Sequence, residues 1–517
     1  MSSMESVLLF ALIAVPFFGA LVMVFFPADK HSLIHWYTRV IAFAGLVMAV
    51  WLFVTFDTDG DLSKYTVDFE WLPALGIRYS LGISGITTPL VLLNAIIFMA
   101  GVLVSWNVTH RPKDFFIWLT LLVAGVYGVF LATDLFFLFF FYELAVVPMY
   151  LLIGVWGSST DFTKQPAVEI PGYGGGGKYD RPKEYGAMKL MLYLVAGSVL
   201  VWVAILAVWA EARAETGMAS FSIAALADVE YSTNFQRIFY PFFMVGFGVL
   251  AGLWPFHTWS PDGHVAAPTA VSMLHAGVLM KLGAFGILAV GMVILPEGAS
   301  DWAPVLIGLG TVNVLYGAVS ALGQRDLKYV IGYSSVSHMG YVLMGLGTLE
   351  VIGLNGAVFQ MFSHGIMTGL FFAMVGIIYE RTHLRDITVL EGLGKRMGVV
   401  GAFLAVAGLT SLGLPGFSSF VAELLVFIGT FRTYPILGVL AVIGAAITAV
   451  YILRLMAKVF FGPISDRWAD LEDAKPLEVA VGAALVGVLL LWGLYPFRIV
   501  EIIDSGVKPL LEGMGIA

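Results

Sequence analysis

Three ionisable side chains lie in the middle of long apolar runs of this sequence. Glu143 is found in Phe-Phe-Phe-Tyr-Glu-Leu-Ala-Val-Val-Pro, Lys281 in Val-Leu-Met-Lys-Leu-Gly and Glu423 in Phe-Val-Ala-Glu-Leu-Leu-Val. A charge at the centre of a membrane helix costs about 2.5–3.5 kcal/mol even on the lenient insertion scale, so each must be paired or face a wet interior. A buried carboxylate and a buried amine whose neighbours move take up and release protons, which is the chemistry of a proton relay. A structural ion pair that fixes helix packing is the alternative.

Histidines in the same kind of surroundings extend this pattern. His275, His338 and His364 all lie inside apolar runs, and imidazole is the side chain whose unperturbed pKa lies nearest to neutral pH. Each is a candidate relay member, although a core histidine bonded to a carbonyl has the same sequence signature. His275 precedes Lys281 by six residues, which is about 240° around a regular α-helix, so the two are not expected to share a face.

Four further residues have weaker claims to a role in proton transfer. Lys189 and Lys328 each begin an apolar run near a predicted membrane surface, where anchoring at the interface competes with a relay role. His257 and His264 flank the stretch Thr-Trp-Ser-Pro-Asp-Gly, where capping and turn chemistry explain them. We therefore expect the two lysines as possible relay members and interpret the two histidines as structural.

The composition indicates which elements must position these side chains. Of the 517 residues, 59% are hydrophobic and only 12% are charged, whereas about a quarter of the residues of a soluble domain are charged. Apolar windows long enough to cross a bilayer recur along the whole chain, so we predict an all-α polytopic membrane protein with about fourteen transmembrane helices. The windows are residues 5–27, 34–56, 86–107, 114–133, 134–156, 187–210, 238–256, 268–294, 302–322, 328–347, 353–380, 399–431, 436–461 and 478–498.

Two of these windows are interrupted by glycine and proline. The seventh ends in Gly252-Leu-Trp-Pro255, and the twelfth contains Gly413-Leu-Pro415-Gly416. A proline within a span frees backbone carbonyls that lipid cannot satisfy and that a protein-lined or wet interior can. Two broken helices about five apart along the chain run in opposite directions, which is typical of an inverted repeat in a transporter. Independent kinks that merely improve packing are the alternative.

The interruptions and the loop charges divide and orient the chain. We predict the first three helices in residues 1–113, a first repeat in 114–294, a second, inverted repeat in 295–461, and a last helix with a tail in 462–517. Lys and Arg collect in alternate loops, as on the cytoplasmic side of membrane proteins, while Asp and Glu collect in the others. Both termini are therefore expected on the non-cytoplasmic side.

Charge and cysteine content exclude several classes of function. The formal net charge is −8 and there is no dense block of Lys and Arg, which excludes a nucleic-acid partner. The sequence has no cysteine, which excludes thiolate metal sites, cysteine-ligated iron–sulfur clusters and disulfides. We predict no metal and no redox cofactor in this chain, so any electron transfer would take place in other subunits.

Several long motifs, in order along nearly the whole chain, resemble those of a known family. The similarity is to the antiporter-like subunits of respiratory complex I, specifically the M-type chain. The motifs are Phe141-Tyr142-Glu143-Leu144 through Pro148, Trp254-Pro255-Phe256-His257-Thr258-Trp259 with Pro261-Asp262, Ala267-Pro268-Thr269, Tyr333-Ser334-Ser335-Val336-Ser337-His338-Met339-Gly340, and Ser411-Leu412-Gly413-Leu414-Pro415-Gly416-Phe417.

The resemblance implies a fold, an activity and a set of partners. The fold would be about fourteen helices with two inverted repeats of about five helices, each with one broken helix. The activity would be proton translocation in the membrane arm of an NADH:quinone oxidoreductase of the bacterial inner membrane. Other membrane-arm subunits, including further antiporter-like ones, would be its partners, and other subunits would carry FMN, the iron–sulfur clusters and the quinone site. The electron donor, NADH or ferredoxin, stays open, as does sodium in place of the proton.

Five residues take family roles by position. Glu143 resembles the glutamate of the fifth helix, Lys281 the central lysine of the eighth, and Glu423 the terminal glutamate of the M-type chain. His338 and His364 resemble the histidines of the tenth and eleventh helices. The resemblance thus implies the same relay that the buried charges suggest.

The chain departs from the family pattern on the input side of that relay. Leu250 stands where the family has a lysine that pairs with the glutamate of the fifth helix, Gly252 stands where proline is common, and the loop 157–185 is longer and richer in glycine than usual. The input is either rewired through Lys189 and Lys281 or lost, in which case the chain is a non-pumping scaffold. A subunit of a multisubunit cation/proton antiporter is the further alternative.

Overall fold

The computed structural model describes residues 4–60, 62–159, 182–217 and 219–516 as a bundle of long helices. Most of the glycine-rich loop predicted at 157–185 lies outside these residues. The α-helices are α1 Met4–Met23, α2 His31–Thr55, α3 Thr87–Val104, α4 Pro112–Leu131, α5 Leu135–Trp156, α6 Lys183–Thr216, α7 Ile223–Ala227, α8 Thr233–Ala251, α9 Trp259–Ala266, α10 Thr269–Leu274, α11 Met280–Gly286, α12 Pro296–Gly323, α13 Leu327–Gly347, α14 Val351–Thr382, α15 Gly398–Ser411, α16 Ser418–Thr433, α17 Pro435–Phe460, α18 Pro476–Leu494 and α19 Phe497–Gly513. Two π-helical segments, His275–Leu279 and Ile287–Met292, follow α10 and α11.

The length and apolarity of these helices confirm the predicted all-α membrane fold. In the described residues, eleven helical segments are long and apolar enough to cross a bilayer. The predicted windows outside that set correspond to α13 and to the two interrupted pairs, α8 with α9 and α15 with α16. The total of about fourteen crossings and the inverted repeats stay predictions.

A β-hairpin between α2 and α3 was not predicted. Its strands are β1 Thr66–Leu72 and β2 Ile77–Gly82, which pair antiparallel. Asp68 and Glu70 belong to a stretch whose acidic residues had indicated only a loop, but they lie on β1. Glu70 is opposite Arg78 and Asp68 is opposite Ser80, and the Arg78 guanidinium contacts the two carboxylates of Asp68 and Glu70 at 2.7 and 2.9 Å. The alternation of polar and apolar residues in this stretch was the signal for a strand. The sequence analysis missed that signal because it considered only the charges of the stretch.

Asp134 fastens the hairpin to the start of α5. Its Oδ1 accepts from the backbone N–H groups of Phe136 and Phe137 at 3.0 and 3.3 Å, and its Oδ2 accepts from that of Arg78 at 3.2 Å. The side chain precedes the membrane-spanning part of α5 and is completely buried. That burial raises the pKa of the carboxyl group to about 6.

The raised pKa predicts a pH dependence of stability. An acid whose folded-state pKa exceeds its unfolded value stabilises the fold fully at pH below about 4, and this contribution is lost as the pH rises through about 6. Compared with Asp134→Asn, the wild type should lose about 2–3 kcal/mol between pH 4 and 8, since one pKa unit corresponds to about 1.4 kcal/mol. Thermal unfolding midpoints of both proteins across this range measure the difference. Asp134→Asn also removes the acceptor of the Arg78 backbone N–H, but this changes the stability by the same amount at every pH. A stability difference between the two proteins that does not vary with pH would therefore contradict the prediction.

One end of the helix bundle collects positive side chains. Arg385 pairs with Asp326 at 3.1 Å and donates to the carbonyl oxygen of Val265 at 2.9 Å. Beside them, Nζ of Lys328 donates to the carbonyl oxygen of Ala267 at 2.6 Å. We call this end the basic face; its members among the described residues include Lys113, Lys183, Lys328, Arg381 and Arg385.

Two helical segments form the centre of the bundle. The most apolar window of α14 is entirely buried, and that of the segment Thr269–Met292 is 94% buried. Both segments therefore contact other helices rather than lipid, and polar side chains that they carry can be satisfied only by protein or water. Lys281 and His364 lie on these two segments.

Candidate functional site

The first helix interruption is held together by a side chain from another helix. Beyond the end of α8, Gly252 adopts a left-handed conformation with φ of +79°, and α9 begins at Trp259. Asn313 of α12 accepts from the backbone N–H of Trp254 at 2.6 Å and donates to the carbonyl oxygen of Gly252 at 2.7 Å. Its amide also donates to the carbonyl oxygen of Val336 at 3.4 Å. The buried amide thus satisfies the backbone groups that the interruption frees.

The second interruption exposes a carboxylate to the gap between α15 and α16. Gly413 and Gly416 have φ values of +67° and +104°, which favour glycine. A Cβ atom on Gly413 would lie 2.7 Å from Oε2 of Glu423. The absence of a side chain at Gly413 therefore leaves room for the Glu423 carboxylate at the break, beside the predicted kink residue Pro415.

Four predicted relay residues form a continuous buried series, which we call the central file: Lys281, His364, His338 and Glu423. Nζ of Lys281 lies 2.7 Å from Nδ1 of His364. The rings of His364 and His338 stack with centroids 5.3 Å apart, and Nδ1 of His338 lies 3.3 Å from Oε1 of Glu423. Lys281 and both histidines are completely buried, and Glu423 is 3% exposed. The structure thus brings together two bases, an amine and a carboxylate where lipid and bulk water are excluded.

Polar neighbours complete the hydrogen bonding of the file near Glu423. The amide of Gln360 lies 3.2 Å from Nδ1 of His338 and donates to Oε1 of Glu423 at 3.4 Å. Ser411, the last residue of α15, lies 2.9 Å from Nε2 of His338. Both ring nitrogens of His338 therefore have partners, and its proton can reside on either side depending on the tautomer.

A π-helical turn positions the lysine at the other end of the file. Nζ of Lys281 donates to the carbonyl oxygen of Ala276, which lies within the π-helical segment His275–Leu279. Such wide turns leave the regular i to i−4 pattern and are frequent at functional sites. The offset of 240° between His275 and Lys281 assumed a regular helix, so that expectation does not apply to this segment.

His275 forms a stacked pair with a histidine that the sequence had set aside. The rings of His264 and His275 lie 3.9 Å apart between centroids, and the indole of Trp259 stacks on His275 at 5.1 Å. Ser260 lies 3.2 Å from Nε2 of His264. Because both imidazoles are completely buried, His264 is a candidate relay member. Its position after Ser-Pro-Asp-Gly had suggested only capping and turn chemistry. That interpretation rested on the local sequence and did not consider which side chains pack against His264.

His257 has a different environment from His264. Its ring lies edge-on to that of Tyr316 at 4.9 Å, and within the described residues neither ring nitrogen has a hydrogen-bond partner. The structure does not bring it to the central file, so its interpretation as a structural residue stays a prediction.

Lys328 links the basic face to the histidine pair. Besides its bond to Ala267, its Nζ lies 3.5 Å from the hydroxyl of Ser272. That hydroxyl donates to the carbonyl oxygen of His264 at 3.0 Å. Lys328 is only 3% exposed, so it is buried within the bundle and not a lysine that anchors at the interface.

Lys189 forms an ion pair with a carboxylate that sequence reasoning did not single out. Its Nζ lies 2.7 Å from Oδ2 of Asp262 in α9, and the hydroxyl of Tyr329 donates to Oδ1 at 2.7 Å. The signal for Asp262 was an acid within an otherwise apolar, broken helix. The hypothesis that Lys189 replaces the missing partner of Glu143 receives no support from this pairing, since its ammonium group contacts Asp262 instead.

Glu143 is separated from the residues just described. One carboxylate oxygen, Oε1, is buried without a hydrogen-bond partner in the part of the chain that the structure describes, and Ser198 of α6 lies beside the group. Leu250 is completely buried among apolar side chains. The surroundings of the two glutamates therefore differ: Glu423 belongs to a connected file, whereas within the described part of the chain Glu143 has no cationic partner.

The donor set suits proton transfer better than metal binding. Among the described residues, no group of three or more His, Asp or Glu side chains is arranged to hold a metal ion. The central file alternates groups that accept and donate protons, which is what a relay requires.

Comparisons with known proteins show which family this chain belongs to. Residues 176–448 match the family described as NADH:quinone oxidoreductase/Mrp antiporter, TM. NAD(P)H-quinone oxidoreductase chain 4 1 of a Picosynechococcus species is 36% identical over 511 residues, which cover 96% of this chain and 90% of the relative. The corresponding chain of Synechococcus elongatus is 36% identical and covers 98% and 91%.

Solved structures support the same fold at lower identity. A chain of respiratory complex I from Thermus thermophilus with bound NADH superposes with a TM-score of 0.85 at 24% identity, covering 98% of this chain and all of the other. A chain of the Mrp complex from a Dietzia species gives 0.82 at 20% identity, with 99% of both chains covered. The chain therefore belongs to the NADH:quinone oxidoreductase/Mrp antiporter transmembrane family, as the resemblance of its motifs predicted.

Proposed function

We propose that this chain is a proton-translocating subunit in the membrane arm of an NAD(P)H:quinone or ferredoxin:quinone oxidoreductase. The observation that carries this proposal is the central file from Lys281 to Glu423. The chain-4 relatives are named as subunits of NAD(P)H-quinone oxidoreductase, which supports the same assignment. The other membrane-arm subunits, including further antiporter-like ones, are the partners we expect.

The residues of the file each hold or move a proton at a defined atom. Lys281, when protonated, donates from Nζ to Nδ1 of His364 across 2.7 Å. The stacked rings of His364 and His338 are 5.3 Å apart, so the next step requires a ring rotation or an intervening water molecule. His338 then delivers the proton to Glu423, whose carboxylate faces the break at Gly413. Movement of either break changes these contacts and gives the relay its switch.

Electron transfer belongs to other subunits in this proposal. We expect FMN, the iron–sulfur clusters and the quinone site in partner chains, because this sequence has no cysteine to ligate a cluster. The chain would convert a conformational or electrostatic signal from quinone reduction into a change at Lys281.

We extend the proposal to topology. The chain would cross a bacterial inner membrane about fourteen times, with both termini outside the cytoplasm and the basic face inside. Residues 114–294 and 295–461 would form the two inverted repeats, flanked by 1–113 and 462–517.

A non-pumping scaffold is the second candidate, and one observation favours it. With leucine at position 250, Glu143 has no cationic partner among the residues that the structure describes, so the lysine input that the family resemblance implies is missing there. A subunit of a cation/proton antiporter remains the third; purification together with flavin and iron–sulfur subunits would favour the oxidoreductase over it.

The deciding experiment replaces Lys281 by methionine in the assembled complex. We expect the ratio of protons pumped to electrons transferred in proteoliposomes to fall by the whole share of this chain, because the amine that begins the file is lost. Quinone reduction in uncoupled vesicles should persist. Lys458→Met, which removes an exposed lysine of α17, is the matched control and should leave the ratio unchanged. An unchanged ratio with Lys281→Met would favour the scaffold.

A further inference from the structure

Two adjoining cavities lead inward from the basic face. The outer cavity has a volume of about 400 Å³ and the inner one of about 190 Å³. Asn107, Tyr379 and Glu380 line both, so the two cavities meet at these residues. Each volume exceeds by far the space of about 15 Å³ that one water molecule requires. The walls are polar enough to hydrate, since Ser158 and Thr269 line the inner cavity.

The inner cavity ends on a group that is connected to the relay. Lys328 is part of its lining, and the lysine contacts Ser272, which bonds to the backbone of His264. The imidazole of His264 packs on that of His275 with ring centroids 3.9 Å apart. Hydrogen bonds therefore lead from the inner cavity to the backbone of His264, and the stacked rings continue toward His275, whose neighbour Ala276 accepts from Lys281. Among the described residues neither ring nitrogen of His275 has a hydrogen-bond partner, so proton movement past the rings requires water or ring rotation.

Glu380 is the carboxylate at the junction of the cavities. The charged residues that share the outer cavity are Arg381, His383, Glu472 and Lys475. Arg381 pairs with Glu478 at 2.6 Å, and Glu472 is exposed at the rim and does not line the inner cavity. In the described residues only Glu380 is an acid that lines both compartments.

The neighbouring polar site offers much less space for water. The cavity beside Asp262 and Tyr329 has a volume of about 10 Å³, which is at the lower limit for one water molecule. Asp262, which pairs with Lys189, is part of the lining of this small cavity. The larger space for water therefore favours a proton route past Glu380 over a proton route past Lys189.

We propose that Glu380 collects protons for this chain and that the two cavities form a water-filled inlet that ends on Lys328. This inference rests on the proposed proton translocation. The Glu380 carboxylate takes a proton from solvent at the basic face. Its O–H bond then breaks as water in the inner cavity passes a proton to the neutral amine of Lys328, where an N–H bond forms. Lys328 feeds the histidine pair and, through it, Lys281.

The pumping test uses the assembled complex in proteoliposomes. Glu380→Gln is expected to lower the proton-to-electron ratio, though by less than Lys281→Met does because solvent protons can still enter the cavities, while Glu472→Gln, which removes a carboxylate from the rim, leaves it unchanged. The pumping that this chain retains in Glu380→Gln should fall steeply as the pH at the basic face rises, because protons must then enter directly from solvent, whereas wild-type pumping should not. A merely structural role for Glu380 would leave the pH profile unaltered.

A labelling test examines the inlet without relying on turnover. The chain has no cysteine, so a single cysteine can be placed at Thr269, which lines the inner cavity, or at buried Ala270 as the control. In the intact complex, a positively charged, membrane-impermeant methanethiosulfonate reagent should modify Thr269→Cys and spare Ala270→Cys, as read by mass spectrometry of this chain.

The outcomes separate this inference from the proposed function. If Lys281→Met lowers the ratio but Glu380→Gln behaves like Glu472→Gln, the inlet is wrong and the translocation stands. An unmodified Thr269→Cys means a dry inner cavity and also overturns the inlet. If Lys281→Met has no effect on the ratio, the translocation falls and the inlet falls with it.

Discussion

Replacing Asn313 by leucine is expected to lower the free energy of unfolding by about 2–6 kcal/mol, because a buried donor and a buried acceptor each lose a partner at about 1–3 kcal/mol. The donor is the N–H of Trp254 and the acceptor is the carbonyl oxygen of Gly252. Neither group can turn to water in the centre of the bundle. The thermal unfolding midpoint and the yield of assembled complex measure the loss.

Two variants make this prediction specific. Asn313→Gln keeps the amide donor and acceptor on a side chain one methylene longer, so it should lose less stability than Asn313→Leu. Asn94→Leu removes another completely buried asparagine, whose amide makes one hydrogen bond of 3.3 Å to Val123 and does not bridge a helix interruption. We expect about 1 kcal/mol or less for that variant. Equal losses for Asn313→Leu and Asn94→Leu would show that the interruption does not depend on Asn313.

Introducing lysine at Leu250 is expected to create a buried ion pair with Glu143. The ring of Tyr142, the neighbour of Glu143 in α5, lies 6.5 Å from that of Phe247, which precedes Leu250 by three residues in α8. An unpaired lysine at this depth costs about 2.5–3.5 kcal/mol, and the carboxylate of Glu143, with its unpartnered Oε1, offsets that cost. Leu250→Lys should therefore assemble nearly as well as the wild type.

A double-mutant cycle measures the pair. Adding Glu143→Gln to Leu250→Lys should destabilise the protein by about 3–5 kcal/mol, the typical loss when one partner of a buried pair is removed, whereas Glu143→Gln alone should have little effect. The control is Leu138→Lys, which introduces a lysine at a completely buried leucine of α5 and should prevent assembly. Additive effects in the cycle would mean that the two positions do not meet. If the wild-type complex has a low proton-to-electron ratio and Leu250→Lys raises it, the proton input of the wild type is impaired. If the wild-type ratio is normal and Leu250→Lys does not raise it, an impaired input is excluded.

The sequence identified the two buried charges at the ends of the central file, but not the contacts between them. Lys281 and Glu423 could be recognised because a charge in an apolar run is rare enough to be informative by itself. His338 and His364 lie on different helices, and only the packing of α13 against α14 shows that their rings stack. The pairing of Lys189 with Asp262 has the same origin, since the chain separates the two residues by 73 positions.

Local interpretation was the main source of what the sequence analysis missed. His264 was explained by a turn, and the angular offset of His275 assumed a regular helix where the chain forms a π-helical segment. Asn313 was overlooked because a single amide in an apolar span carries no signal of what it bonds. Periodicity and composition predict which segments are helical, whereas irregular turns and interhelical bonds follow from tertiary packing.

The complete burial of α14 has a consequence for how the protein is made. This helix enters the membrane before the helices that satisfy its polar groups exist. The hydroxyl of Ser363 bonds to Ser418, 55 residues later, and the amide of Asn355 bonds to Asp504, 149 residues later. Lipid offers these groups no substitute. During synthesis α14 must therefore stay sheltered beside the insertion machinery or its earlier neighbours until the last helices emerge, which makes the biogenesis of this chain strongly dependent on its C-terminal part.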